Sequence, residues 1–315
     1  MSTRLPWEQV PAPLRAEAEQ LLGAPVIAAR TQPGGFSPGA AARLELADGR
    51  RAFAKAVGPE LNPDSPGIYR AEARIAAALP AAAWAPEFRG VIDSGGWVLL
   101  LFEDIDGAPP AVPWRPPELA RVLAAIADLA SALMPAPLAA PSIADRHGAS
   151  FTGWRQLAAE ARTGTGAAGQ SDLDPWARAH LPELAGLEAG WARAADGASL
   201  IHADLRSDNI LLTAGRVVFV DWPWACRAAP WFDLVAMLPS ITLEGGPPPG
   251  EILAAHPVTR GADPEAVTAV VAALAGYFIH RSRLPGPPGL PTVRAFQAAQ
   301  GEVALDWLRA RTGWR

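Results

Sequence analysis

The chain has 315 residues, half of them hydrophobic, and a formal net charge of -5, enough length and apolar content to bury a sizeable core in one large domain or two lobes. The shallow charge, without a run of like charges at either end, argues against a nucleic-acid arm or a polybasic membrane patch. The opening MSTRLPWEQV lacks an apolar signal stretch and no segment offers about eighteen uninterrupted apolar residues, so a cytoplasmic protein with neither nucleic acid nor membrane as partner is expected.

The first hundred residues read as a short helix, Leu14–Leu22, followed by strand-rich sequence. Strands are expected at Ala41–Leu46 and Arg51–Val57 around the turn Asp48-Gly49, and in the continuous apolar run Trp97–Phe102. Between them Ser65-Pro66 supplies an N-cap and a first-turn proline for a helix to about Leu79. Beyond Gly107 the texture turns to Ala/Leu-rich helices near Pro117–Met134, Asp174–Ala195, Pro264–Arg283 and Val293–Arg311, with the Gly/Ala-rich stretch Thr163–Gly169 read as a mobile loop. One exception interrupts the helices. From Ser199 to Trp222 the short apolar runs Leu200-Ile201, Ile210–Leu212 and Val217–Val220 are punctuated by the turn Thr213-Ala214-Gly215.

That exception carries the chemistry. His202-Ala203-Asp204-Leu205-Arg206-Ser207-Asp208-Asn209 has the spacing H-x-D-x-x-x-x-N of a kinase catalytic loop. Phosphoryl transfer needs a carboxylate within reach of the attacking hydroxyl, and an amide oxygen close by to hold the magnesium that neutralises the phosphates. Asp204 fits the base and Asn209 the metal ligand. Twelve residues after Asn209, at the end of an apolar strand, Asp221 supplies a second metal-binding carboxylate. Taken alone, any one of the three reads better as a turn or strand-end residue; together, with the hairpin Asn209–Val220 holding them in register, they favour function. His202 is expected to brace the loop.

The upstream half offers the complement. Of 27 Lys and Arg residues only Lys55 is lysine, which suggests a place where arginine's planar fork will not serve. Lys55 ends a strand and Glu72 lies on the next helix, so a Lys-Glu ion pair holding the ammonium against the α- and β-phosphates is expected. Pro33–Gly39, with Ser37, is a turn-rich loop whose amides lie near phosphates in this reading, and Glu103-Asp104-Ile105 stands where backbone groups would pair with a purine. No G-x-x-x-x-G-K-[ST] occurs. The lone Cys226 excludes an internal disulfide and reads as packing.

Lys55, Glu72, Phe102-Glu103-Asp104-Ile105, His202–Asn209, Asp221 and Pro230-Trp231-Phe232-Asp233-Leu234 together resemble the aminoglycoside phosphotransferase-like kinases, a family that includes choline-kinase-type enzymes. The resemblance covers about Gly34 to Leu234. It implies an α+β, two-lobed protein-kinase-like fold: a small antiparallel-sheet N-lobe, residues 1–104, and a larger, mainly helical C-lobe, residues 105–315. It also implies MgATP as phosphoryl donor, a small hydroxyl-bearing acceptor, and Asp233 bracing the catalytic loop. Ala203 and Arg206 replace the family's usual glycine and histidine. A protein kinase fits less well, because only eleven residues separate Asp221 from Asp233 and leave no room for a long activation segment. A nucleotide-binding pseudokinase is the alternative from another class, and retention of Lys55, Asp204, Asn209 and Asp221 argues against it. From Trp222 to Arg315 seven acidic residues face eight arginines, so the acidic cleft suited to a polycationic acceptor is not evident. Trp222, Trp224 and Trp231 read as core or as a stacking wall for a sugar.

Overall fold

The computed structural model describes residues 4–33, 38–163, 172–286 and 292–315. The elements run α1 (Ala12–Leu22), β1 (Val26–Thr31), β2 (Ala40–Leu46), β3 (Arg51–Val57), α2 (Ser65–Ala76), β4 (Phe88–Ser94), β5 (Trp97–Glu103), α3 (Pro116–Ala132), α4 (Ile143–His147), α5 (Gly153–Thr163), α6 (Pro175–Ala179), α7 (Leu181–Ala189) and α8 (Trp191–Ala194). They continue as β6 (Ser199–Ile201), β7 (Ile210–Leu212), β8 (Val217–Phe219), β9 (Cys226–Ala228), α9 (Phe232–Leu243), α10 (Pro249–Ala255), α11 (Pro264–Ser282) and α12 (Val293–Thr312). Two compact units result, one of Met1–Pro110 with Asp208–Ala225, the other of Ala111–Ser207 with Cys226–Arg315.

In the first unit five antiparallel strands pair in the order β1-β2-β3-β5-β4. Side chains alternate between the faces of a strand, and here both faces are covered. Ala52, Ala54, Leu99 and Leu101 pack on the side that carries Leu14, Ala18 and Leu22 of α1. Val57, Val98, Leu100 and Phe102 pack on the opposite side against Tyr69 and Ala73 of α2. Burial on both faces is why β5 is a continuous apolar run rather than an alternating one. The same parity sets Lys55, two residues before Val57, on the α2 side. Gly49, at φ +84°, turns β2 into β3 through its N–H bond to the Leu46 carbonyl. The hairpin β7–β8 belongs to this unit, with Phe219 paired to Ile210.

The second unit is helical apart from the pair β6–β9. Its core is built on α9 and α11, which are buried over most of their lengths. Three sequence expectations need correction. The helix expected over Asp174–Ala195 is three helices, because Pro182 in the first turn of α7 has no N–H with which to continue α6. Ser65 is not the cap of α2: it lies inside the first turn, and Asn62 Oδ1 accepts the Asp64 and Ser65 N–H groups at 2.9 and 3.0 Å. That helix also stops at Ala76, short of Leu79. Helix α9, apolar all round and containing Pro239, lacks the one-sided period by which a surface helix is recognised. The expected mobile loop after Thr163 falls largely on residues outside those described. Among the described residues no helix is long and apolar enough to cross a membrane.

Candidate active site

In the first unit, alternation along β3 and the helical period of α2 bring Lys55 and Glu72 together across the sheet face. Lys55 Nζ lies 2.6 Å from Glu72 Oε2 and 2.7 Å from Asp221 Oδ1. Glu72 is buried, at 2 % exposure. Burial opposes the ammonium, but Asp221 and then Glu72 outweigh it and hold the Lys55 pKa above its ordinary value. Burial pushes the Glu72 carboxyl up to about 7 against the pull of Lys55. Asp221 arrives from 166 residues away along the chain. It stands just past β8 with φ +69°, the left-handed region that side chains rarely adopt, and the bond from the Val220 N–H to the Asn209 carbonyl, 3.0 Å, ties the two ends of the hairpin.

Lys55, Glu72 and Asp221 line a cavity of about 350 Å³ within this unit, whose apolar lining includes Phe53, Phe102, Ile105 and Leu211. That volume suits a small ligand or cofactor. Glu103, Ile105 and Asn209 also line it. Glu103 forms an ion pair with Arg216 at 3.0 Å. Asp104 is buried between Arg43 and Arg51, at 2.8 and 3.2 Å, and Arg43 also donates to the Ile105 carbonyl, which anchors the segment after β5. Arg43 and Phe53 were not singled out from sequence, although Phe53 sits two residues before Lys55 and so shares its face. Ser37 lies outside the described residues.

In the second unit the loop after β6 is held from below. The buried Asp233, at the start of α9, accepts the N–H groups of His202 and Ala203 at 2.7 and 2.8 Å, while burial pushes its own pKa up to about 6. His202 is fully buried and its Nδ1 accepts the Asp204 N–H at 3.3 Å, which leaves the Nε2 nitrogen protonated in the neutral ring. Arg206 Nη1 stands 3.4 Å from Asp204 Oδ1. Ala203 has φ +65°, which accounts physically for the glycine usual in the resembled family. Ala203→Gly is expected to stabilise the protein by roughly 0.5–1 kcal/mol, since a side chain in this region costs about 1–2 kcal/mol and glycine's greater unfolded-state freedom offsets part of the gain. Chemical denaturation checks this; a loss of stability would contradict the left-handed loop. Trp222 and Trp231 are buried, and Trp222 donates to the Phe219 carbonyl at 2.9 Å, so these two are packing residues rather than a stacking wall. Cys226 is also buried, and burial pushes its thiol up to about 12.

A five-stranded sheet carrying a lysine-carboxylate pair, followed by a helical unit, defines a protein-kinase-like fold. Residues 33–269 match the phosphotransferase enzyme family, and the chain belongs to that family. A thermostable mutant of aminoglycoside phosphotransferase APH(4)-Ia, in a ternary complex with ADP and hygromycin B, is 16 % identical with a TM-score of 0.63, over 96 % of this chain and 99 % of that one. Choline kinase LicA from Streptococcus pneumoniae is 14 % identical with a TM-score of 0.63, over 94 % and 98 % of the two chains. Amicoumacin kinase hAmiN, in complex with AMP-PNP, Ca2+ and Ami, is 10 % identical with a TM-score of 0.54, over 88 % of each chain. No curated protein matches the chain.

Proposed function

We propose that the protein is an ATP-dependent O-phosphotransferase that moves the γ-phosphoryl group to a hydroxyl of a small molecule. The observation that carries the reading is Lys55, bonded at once to Glu72 and Asp221 in a cavity that Phe53, Phe102, Ile105 and Leu211 also line. The cavity walls suit a purine, with Glu103 and Ile105 among the residues that would meet its edge, and Lys55 would meet the α- and β-phosphates. Solved relatives of this fold bound to ADP or AMP-PNP support the same choice of donor.

Magnesium fits the residues present. Asp221 and Asn209 offer one carboxylate and one amide oxygen, the hard donors that this ion takes together with substrate phosphates. Among the described residues no group of three or more His, Cys, Asp or Glu side chains gathers to hold an ion by itself, in keeping with an ion that arrives with the nucleotide. When bound, the ion neutralises charge on the phosphates.

The remaining chemistry belongs to Asp204. Its carboxylate accepts the proton of the acceptor hydroxyl as that oxygen bonds to the γ-phosphorus. The bond from the γ-phosphorus to the β,γ-bridging oxygen breaks, and ADP leaves with the electron pair. Asp233 fixes the loop by holding two of its N–H groups. A mass-spectrometric screen of the purified protein with MgATP and a library of sugars, amino sugars, antibiotics and metabolite alcohols tests the reading. Gain of one phosphoryl group by an acceptor is the expected result; ATP bound and nothing phosphorylated across the library would count against it.

Lys55→Arg separates a phosphate-binding lysine from one that is merely charged. At an ordinary surface site the change would alter stability by no more than about 0.5 kcal/mol and leave activity intact. Here the bulkier planar guanidinium cannot occupy the same point between Glu72 and Asp221, so turnover is expected to fall well below wild type with the fold retained, as circular dichroism and steady-state kinetics will show.

A further inference from the structure

Helix α9 grips the loop that carries Asp204 at one end, and the same helix offers a second grip at the other. Asp233, in its first turn, holds the His202 and Ala203 N–H groups at 2.7 and 2.8 Å. Glu244, the residue that closes the helix, accepts the Ser207 hydroxyl on Oε1 at 2.7 Å and the Trp114 indole N–H on Oε2 at 2.9 Å. At 1.5 Å per residue the two acids stand roughly 16 Å apart along α9. Asp204 lies in the chain between the two grips. All of these residues belong to the second unit.

Two features mark the second grip as more than helix-end packing. A carboxylate is the wrong charge for the place: the C-terminus of a helix carries partial negative charge and favours a cation, so Glu244 does not serve the helix it closes. Its backbone is also fixed from both sides. The Glu244 N–H donates to the Ser240 carbonyl at 2.9 Å, and the Glu244 carbonyl accepts the Trp114 N–H at 3.0 Å. Gly245, at φ +81°, lets that segment approach, since a Cβ there would stand 2.9 Å from Pro113 Cβ. The carboxylate therefore springs from a rigid base, as a positioning group must. Ser207 is buried, at 7 % exposure, and a buried hydroxyl without an acceptor is costly, which keeps the loop where Glu244 can receive it.

Resting on the reading of Asp204 as the base, we propose that Glu244 is a positioning residue for phosphoryl transfer: through Ser207 it pins the far end of the loop and so sets where the Asp204 carboxylate stands. It touches no reacting atom. Ser207 follows Asp204 by three residues, so a loop freed at Ser207 lets Asp204 shift about its remaining anchor at Asp233, and a misplacement of about 1 Å is enough to cost about 10²-fold in rate. Trp114, by holding the other carboxylate oxygen, keeps Oε1 turned to the serine.

Ser207→Ala, Glu244→Ala and the double variant, each in the whole protein, test the proposal. Hydrogen exchange read by mass spectrometry over residues 202–209, without substrate, should quicken about tenfold or more in Ser207→Ala, with a melting temperature near wild type. With the acceptor found by screening, kcat of that variant should fall about tenfold or more while the KM for MgATP stays within about twofold. Adding Ser207→Ala to Glu244→Ala should lower kcat no further, because the two act through one bond; where Glu244→Ala does not fold, Ser207→Ala decides alone. Unchanged exchange over the loop, a kcat within about twofold of wild type, a KM for MgATP that rises as much as kcat falls, or losses that multiply in the double variant would each overturn the proposal. Failure of the underlying reading shows differently, as a wild type that phosphorylates no acceptor or as undiminished turnover in Asp204→Asn, while loop exchange, which needs no substrate, still judges the anchor.

Discussion

Asp204→Asn should lower acceptor turnover by about 10²- to 10⁴-fold, the usual worth of a positioned general base, while MgATP affinity stays within a few-fold of wild type. The split follows from where the residue sits. Asp204 belongs to the helical unit, on a loop that Asp233 holds by the His202 and Ala203 N–H groups, and the cavity that suits a nucleotide is lined by residues of the other unit. Asparagine keeps the shape and loses the proton acceptor. It also removes the charge that faces Arg206, so the acceptor KM is expected to move less than kcat. A variant within a few-fold of wild type in kcat would refute the base assignment.

Asp221→Ala should abolish transfer and weaken nucleotide binding together, which distinguishes it from Asp204→Asn. The substitution removes one of the two carboxylates on Lys55 and the only carboxylate proposed for magnesium, leaving Asn209 as a neutral donor. Breaking a buried charge network in this way costs about 3–5 kcal/mol when the partner is left uncompensated; Glu72 still pairs Lys55 and Asp221 is half-exposed, so the loss of stability should fall well below that. Calorimetry is the check. MgATP affinity equal to wild type would exclude Asp221 as the ligand.

Much of this arrangement was legible because it is local. The H-x-D-x-x-x-x-N spacing lies within eight residues, the hairpin that carries Asn209 and Asp221 announces itself by two apolar runs around a turn, and the lone lysine stands out by composition. The pair of Lys55 with Glu72 needed only a strand followed by a helix. The bond from Lys55 to Asp221 was not legible, since nothing in either segment specifies which surface the distant hairpin packs upon. The contact of Arg206 with the Phe296 ring was hidden for the same reason, since Phe296 comes from α12. Secondary structure was missed where the period is lost. Strand β1 is mostly exposed, β4 is interrupted by an irregularity at Phe88 and Gly90, and α9 is buried on all sides.

Transfer of labelled phosphate tests the central claim most directly. Wild type and Asp204→Asn are supplied with ATP bearing ¹⁸O on the γ-phosphoryl group, together with the acceptor found by screening, and acceptor and inorganic phosphate are both read by mass spectrometry. The account predicts that wild type delivers the labelled phosphoryl group to the acceptor hydroxyl and that the variant, with MgATP still bound, delivers almost none. Label recovered only as inorganic phosphate, or transferred equally well by both proteins, would contradict it.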